Sequence, residues 1–218
     1  MAIIIGDIHG CRRQLEALLA LVEPSADQTI VTLGDYIDRG PDTKGVIDCL
    51  IELKRTHNLI HLKGNHDVFM ENARTSQAHY AFWVRDDIGG KETLDSYGGN
   101  LTDVPQSHWD FLENSPLYHE LENYICAHGG IDANKPVDQQ KADTFLNKRF
   151  HVAAPHCSGK TIICGHTRQV DGIPKSLGHT LCIDTNVFDG GYLTAFDTDS
   201  GILYQVNEQG DRRQITFG

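Results

Sequence analysis

No stretch of this 218-residue chain approaches the apolar length that a membrane span requires. No basic segment followed by an apolar one opens it, so no export signal is expected. A basic excess is lacking too: 19 Lys and Arg stand against 30 Asp and Glu, for a formal net charge of -11. That balance argues against a protein held on nucleic acid by a cationic face. It does not argue against a small phosphorylated substrate, because bound metal reverses the local sign. CxxC pairs are missing: Cys11, Cys49, Cys126, Cys157, Cys164 and Cys182 all stand apart. They read as reduced thiols of a cytoplasmic protein, not as a disulfide framework. Internal repeats and low-complexity tracts are also missing.

What is present is an ordinary globular composition, 39% hydrophobic and 22% charged. A chain of this length is expected to form one domain, 1–218, with a core that needs no disulfide or structural metal. Ile3 to Ile5 reads as a short buried strand, and Cys11 to Leu21 as a helix with Leu15, Leu18, Leu19 and Val22 on one face. "TIVTLGDYIDRGPDT" is a second strand and loop, Thr43 to Lys54 a second helix, and "NLIHLKGNHD" a third strand and loop. Alternating strands and helices predict an α/β fold that begins with a largely parallel sheet. From about 68 to 115 the chain turns aromatic, polar and glycine-broken, and predicts a helical cap-like insertion. Strand character returns at "NYICAHGG", "TIICGHT" and "TLCIDTN", with a polar, partly helical insertion at about 138–158. The last segment alternates apolar and polar residues around "DSG" and "EQGD" turns, the pattern of antiparallel hairpins.

Five strand endings share a feature. "IIIGDIHG", "TLGDYIDRG", "HLKGNHD", "YICAHGG" and "TIICGHT" each place Asp, Asn or His just beyond an apolar run. Taken singly, an Asp there is a turn former and a His an exposed side chain. Ligands of open sheets, however, gather beyond the carboxyl ends of strands. Converging ends would bring Asp7, His9, Asp35, Asn65, His66, His128 and His166 to one point. Carboxylates, an amide oxygen and imidazoles suit Mn, Fe or Zn better than Mg. With six or more donors, two ions sharing a carboxylate are expected about 3.5–4 Å apart.

The motifs "GDIHG", "GDYIDRG", "GNHD", "HGG" and "GHT", in that order and spacing, resemble the phosphoprotein phosphatase branch of the calcineurin-like metallophosphoesterases, in its small bacterial and phage form. The resemblance runs from Gly6 to about Thr194. It implies two packed mixed β-sheets flanked by helices, and two divalent ions, Mn first with Fe or Zn as alternatives. Asp7 and His9 would hold one ion, Asp35 would bridge, and Asn65, His128 and His166 would hold the other. A hydroxide bridging the ions would attack phosphorus. His66 would protonate the leaving oxygen, with Asp38 orienting it and keeping it charged, and Arg39 would grip phosphoryl oxygens. A second phosphate-binding arginine is expected in "FLNKRF": Arg149, with Lys148 as the rival if the register slips. The related sequences often carry Trp where Asn147 stands. Asp67 and Asn186 stand where Glu and Gly are common.

Substrate class is less sharply written. Asp38 stands where symmetrical diadenosine tetraphosphate hydrolases usually carry Ala, which tilts the resemblance toward a serine/threonine protein phosphatase. The dinucleotide hydrolase and a broad phosphatase of small molecules or phosphotyrosine remain alternatives. A non-catalytic phosphate-binding protein is the alternative of another kind, although no expected ligand is missing. Phe69, Tyr80, Phe82, Trp83 and Tyr97 can stack on a nucleobase or pack a core. The expected partner is therefore a phosphorylated protein or a small phosphorylated substrate, with no nucleic acid and no membrane.

Overall fold

A computed structural model describes residues 1–217. The chain begins with β1 (Ala2–Ile5), α1 (Arg12–Val22), β2 (Thr29–Thr32), α2 (Thr43–Thr56) and β3 (Asn58–His61). Four helices follow: α3 (Asn65–Ala73), α4 (Gln77–Trp83), α5 (Gly90–Ser96) and α6 (Gln106–Glu113). Next come β4 (Tyr118–Glu120), β5 (Tyr124–Ala127), α7 (Ala142–Asn147), β6 (Thr161–Cys164), β7 (Lys175–Ser176) and β8 (Thr180–Cys182). The hairpins β9 (Tyr192–Asp197), β10 (Ile202–Asn207) and β11 (Arg212–Thr216) close the chain.

The strands form two mixed sheets, ordered β11-β10-β9-β1-β2-β3 and β4-β5-β6-β8-β7. β1, β2 and β3 are parallel, as are β5, β6 and β8, while β9 pairs antiparallel to β1. The short strands read as unbroken apolar runs because both of their faces are covered. Ile4, Val31 and Phe196 of the first sheet meet Cys126, Ile163 and Leu181 of the second in one apolar layer. Ile3 and Ile5, one residue out of phase, face Leu15 and Leu18 of α1 and Val46, Ile47 and Leu50 of α2. On the outer face of the second sheet, Ile125 and Ile162 pack against Phe145 and Phe150.

α3 to α6 do not stand apart from this core. Trp83, Leu94, Tyr97, Trp109 and Phe111 belong to the same apolar cluster as α1 and α2. Trp83 and Tyr97 are thereby withdrawn from any role as exposed stacking platforms. "GNHD" is also not a loop beyond its glycine, since Asn65 is the first residue of α3. All six cysteines are free thiols. Among the described residues no helix is long and apolar enough to cross a membrane.

Candidate metal centre

The loops after β1, β2, β3, β5 and β6 converge, and within each sheet β-strand direction explains part of it. Parallel neighbours release their chains at the same edge, so Asp7, Asp35, Asn65, His128 and His166 emerge together. Close approach of the backbones does the rest. A Cβ on Gly165 would overlap Asp7 Oδ1, and one on Gly64 would overlap Asp35 Oδ1. His9, Asp35, Asp38, Arg39 and His166 all adopt positive φ, between 44° and 69°. Such conformations cost non-glycine residues of order 1–3 kcal/mol each and persist only where surrounding bonds impose them.

Those bonds are specific. Asp67, fully buried, accepts the N–H groups of Asp35 (3.0 Å), Tyr36 (3.1 Å) and Gly64 (2.8 Å). Asp35 Oδ1 in turn accepts the N–H of His66 at 2.9 Å, and Asp7 Oδ2 accepts that of His166 at 3.0 Å. His9 Nδ1 donates to Ile37 O at 2.8 Å, and His128 Nδ1 donates to Leu33 O at 3.1 Å. A carbonyl only accepts, so in each neutral ring Nε2 must carry the lone pair.

The donor set fits divalent ions. His9 Nε2 lies 3.6 Å from Asp35 Oδ2, and His128 Nε2 lies 3.5 Å from the same oxygen and 2.9 Å from Asn65 Oδ1. Lone pairs face lone pairs there, an arrangement that a cation between them relieves. Arg39 Nη1, 3.0 Å from His9 Nε2, shows that this lone pair draws positive charge. Asp7 Oδ1 is buried without a hydrogen-bond partner among the described residues. Two sets of donor atoms lie within 4.8 Å of one another: His9, Asp35 and His66, and Asp7, Asp35 and His128. Asp35 belongs to both, the place a shared ligand would take, although the sets include His66 and pair Asp7 with His128, and so cut across the motif-based grouping.

Burial dominates the electrostatics. It pushes the Asp7 carboxyl well above the usual range, with Asp184 and Asp35 adding repulsion. It lowers His128 and His166 to about 3 each, so both imidazoles are neutral and ready to ligate. His66 behaves differently from the expectation that Asp38 keeps it charged. The two do meet, His66 Nδ1 to Asp38 Oδ2 at 2.7 Å. Yet burial lowers the ring to about 4 and raises Asp38 well above its ordinary value. Desolvation penalises both charges, and Asp38 already accepts from Trp83 Nε1 (2.9 Å) and the Thr93 hydroxyl (2.9 Å).

An open cleft of about 800 Å³ lies over the cluster. Asp7, His9, Asp35, Asn65, His66 and His166 line it, with His128 buried beneath. Arg149 reaches the cleft and donates to His166 O at 3.1 Å, whereas Lys148 Nζ donates to Ile131 O and does not line it. The motif-based assignment omitted further lining residues: Arg168, Asp184 and Phe188, together with Asp86, Asp87, Ile88, Gly89 and Glu92. Asp184 had a signal, since "TLCIDTN" is a sixth apolar run ending in a carboxylate. Arg168 directly follows "GHT", and Phe188 sits in a single 3-10 turn, Val187–Asp189, too short for periodicity to mark it.

A family model for calcineurin-like phosphoesterases matches residues 2–187. Among curated proteins, the chain is 29% identical over 228 aligned residues to the asymmetrical bis(5'-nucleosyl)-tetraphosphatase PrpE of Oceanobacillus iheyensis, covering 88% of this chain and 86% of that one. It is 32% identical over 147 residues to the serine/threonine-protein phosphatase PP2A-like PPG1 of Saccharomyces cerevisiae, covering 63% of this chain and 35% of that one. A crystal structure provisionally described as a diadenosine tetraphosphatase superposes with a TM-score of 0.66 at 22% identity, over 100% of this chain and 93% of the other.

Proposed function

The chain belongs to the calcineurin-like phosphoesterase family, and from that premise we propose that its cleft hydrolyses a phosphoanhydride bond of a dinucleoside polyphosphate. The carrying observation is the number of guanidinium groups: Arg39, Arg149 and Arg168 all line the cleft. One phosphoryl group offers three oxygens, which two metal ions and two guanidiniums already satisfy. A third guanidinium calls for further phosphates in a row. Similarity to the asymmetrical tetraphosphatase along 88% of the chain supports the same reading.

In this reading Asp7 and His9 would hold one divalent ion and Asn65, His128 and His166 the other, with Asp35 available to both. The ions supply Lewis acidity and a nucleophilic water near neutral pH. Arg39 and Arg149 hold the phosphoryl group under attack, and Arg168 the phosphates beyond it. His66 would pass a proton from Nε2 to the leaving oxygen; in the neutral ring that proton sits on Nε2 when the Asp38 carboxyl donates to Nδ1, the contact that also fixes the ring. Asp38, anchored by Trp83 and Thr93 as well, would position His66 for an ester or an anhydride leaving group. Similarity to a PP2A-like phosphatase over 63% of the chain keeps serine/threonine protein dephosphorylation as the second reading.

Metal-loaded protein should add water across one P–O–P bond of diadenosine tetraphosphate, and do so faster than it releases phosphate from a phosphothreonine peptide. ATP and AMP as products would match the curated relative, and two ADP would indicate symmetrical cleavage. Phosphate release from peptides with the dinucleotide left intact would overturn the proposal in favour of the second reading.

A further inference from the structure

We propose that a second cavity, behind Phe188, is a nucleobase site that takes an adenine end of the substrate; this rests on the nucleotide reading above. The cavity holds about 570 Å³ and shares Phe188 with the metal cleft. Its other margin begins at Gly10, the residue after His9. Phe188 is the wall between the two spaces. Its ring meets His9 edge-on with centroids 5.0 Å apart, and the Arg39 guanidinium lies 4.8 Å from its centre. A nucleotide with its phosphates on the arginines therefore has its base within reach of the other side of this ring.

Gln14 makes the cavity more than a crease. It lies in the first turn of α1, is 8% exposed, and lines the cavity. Its carboxamide has no hydrogen-bond partner among the described residues. Its polar atoms are not sealed from the cavity space, so they are free to pair with what occupies it. Beside it the lining has an apolar part, Ala17, Pro41, Val187 and Phe188, and a second amide, Asn207. An apolar wall beside an unpaired amide suits a flat, weakly polar ring. The rim carries two cations, Arg12 and Arg13, against two carboxylates, Asp42 and Glu208, so it does not single out phosphate.

The amide also selects among rings. Its Nε2 donates and its Oε1 accepts, which matches the N7 acceptor and N6 amino donor of adenine. Guanine presents two acceptors along the same edge and satisfies only half of the amide. Gln14 is thus assigned a part in recognition, outside the machinery that handles phosphate and metal.

The test is calorimetric titration of adenosine and of guanosine into Mn²⁺-loaded protein, wild type and Gln14→Leu. Wild type should bind adenosine about tenfold or more tightly than guanosine. Gln14→Leu should lose that preference, while its Tm and its hydrolysis of p-nitrophenyl phosphate stay at wild-type values. Should that variant fold poorly, Ala17→Leu fills the same cavity and should exclude adenosine. Absent or equal binding of the two nucleosides by wild type, or an unchanged preference in Gln14→Leu, overturns the site. Selective binding without hydrolysis of diadenosine tetraphosphate would uphold the base site and sink the dinucleotide reading. Hydrolysis without selective binding would do the reverse.

Discussion

Asp67→Asn perturbs the hold on Asp35 without touching a metal ligand. In the native protein two carboxylate oxygens serve three N–H donors. Oδ2 takes Asp35 and Gly64, and Oδ1 takes Tyr36. Asn has one oxygen, and its NH2 group must face an N–H on the other side. If the oxygen keeps the two-donor side, Tyr36 N–H is left buried and unpaired. Losing a bond to a charged group and burying an unsatisfied donor together cost about 2–4 kcal/mol. For a chain of this length that is a Tm fall of roughly 4–16 °C. Asp35, held at φ 50°, should then relax and bind metal less tightly. Calorimetric unfolding in EDTA measures the first effect, and Mn²⁺ titration of activity the second. A Tm within about 1 °C of wild type, with unchanged metal dependence, would refute the claim that Asp67 clamps the bridging loop.

Gly165→Ala should push Asp7 Oδ1 off its position and lower metal content, because the added Cβ would overlap that oxygen; normal metal content by mass spectrometry would contradict this. His66→Asn should keep its metal but lose roughly 10²- to 10⁴-fold in kcat. That loss should shrink on substrates with better leaving groups, and equal losses on good and poor ones would count against a proton role. Arg168→Ala should raise KM for diadenosine tetraphosphate by roughly 10- to 100-fold, the worth of a charge-assisted contact. Hydrolysis of p-nitrophenyl phosphate should barely change, and parallel losses on both substrates would remove the extra phosphate subsite.

The chain exposed its candidate metal set because these residues follow strands closely. Asp7, Asp35, Asn65, His128 and His166 each lie within a few residues of an apolar run, and the motif glycines that permit close approach stand beside them. The parallel start and the hairpin end were legible for the same reason, as period and turn residues are local. Supporting contacts were not. Trp83 and Thr93 reach Asp38 across 45 and 55 residues, a separation no local pattern encodes. Asp67 looked like a substitution of Glu, and only packing shows its carboxylate gripping three backbone donors. Burial was also underestimated at His66. A carboxylate neighbour argues for a charged ring, but a ring withdrawn from water is pushed toward neutrality.

Metal content per chain tests the central claim most directly. Protein loaded with Mn²⁺ and dialysed against metal-free buffer should retain two ions per chain by elemental mass spectrometry, as expected if Asp35 serves two sites. Full hydrolytic activity at one ion per chain, or with none, would contradict the two-metal account.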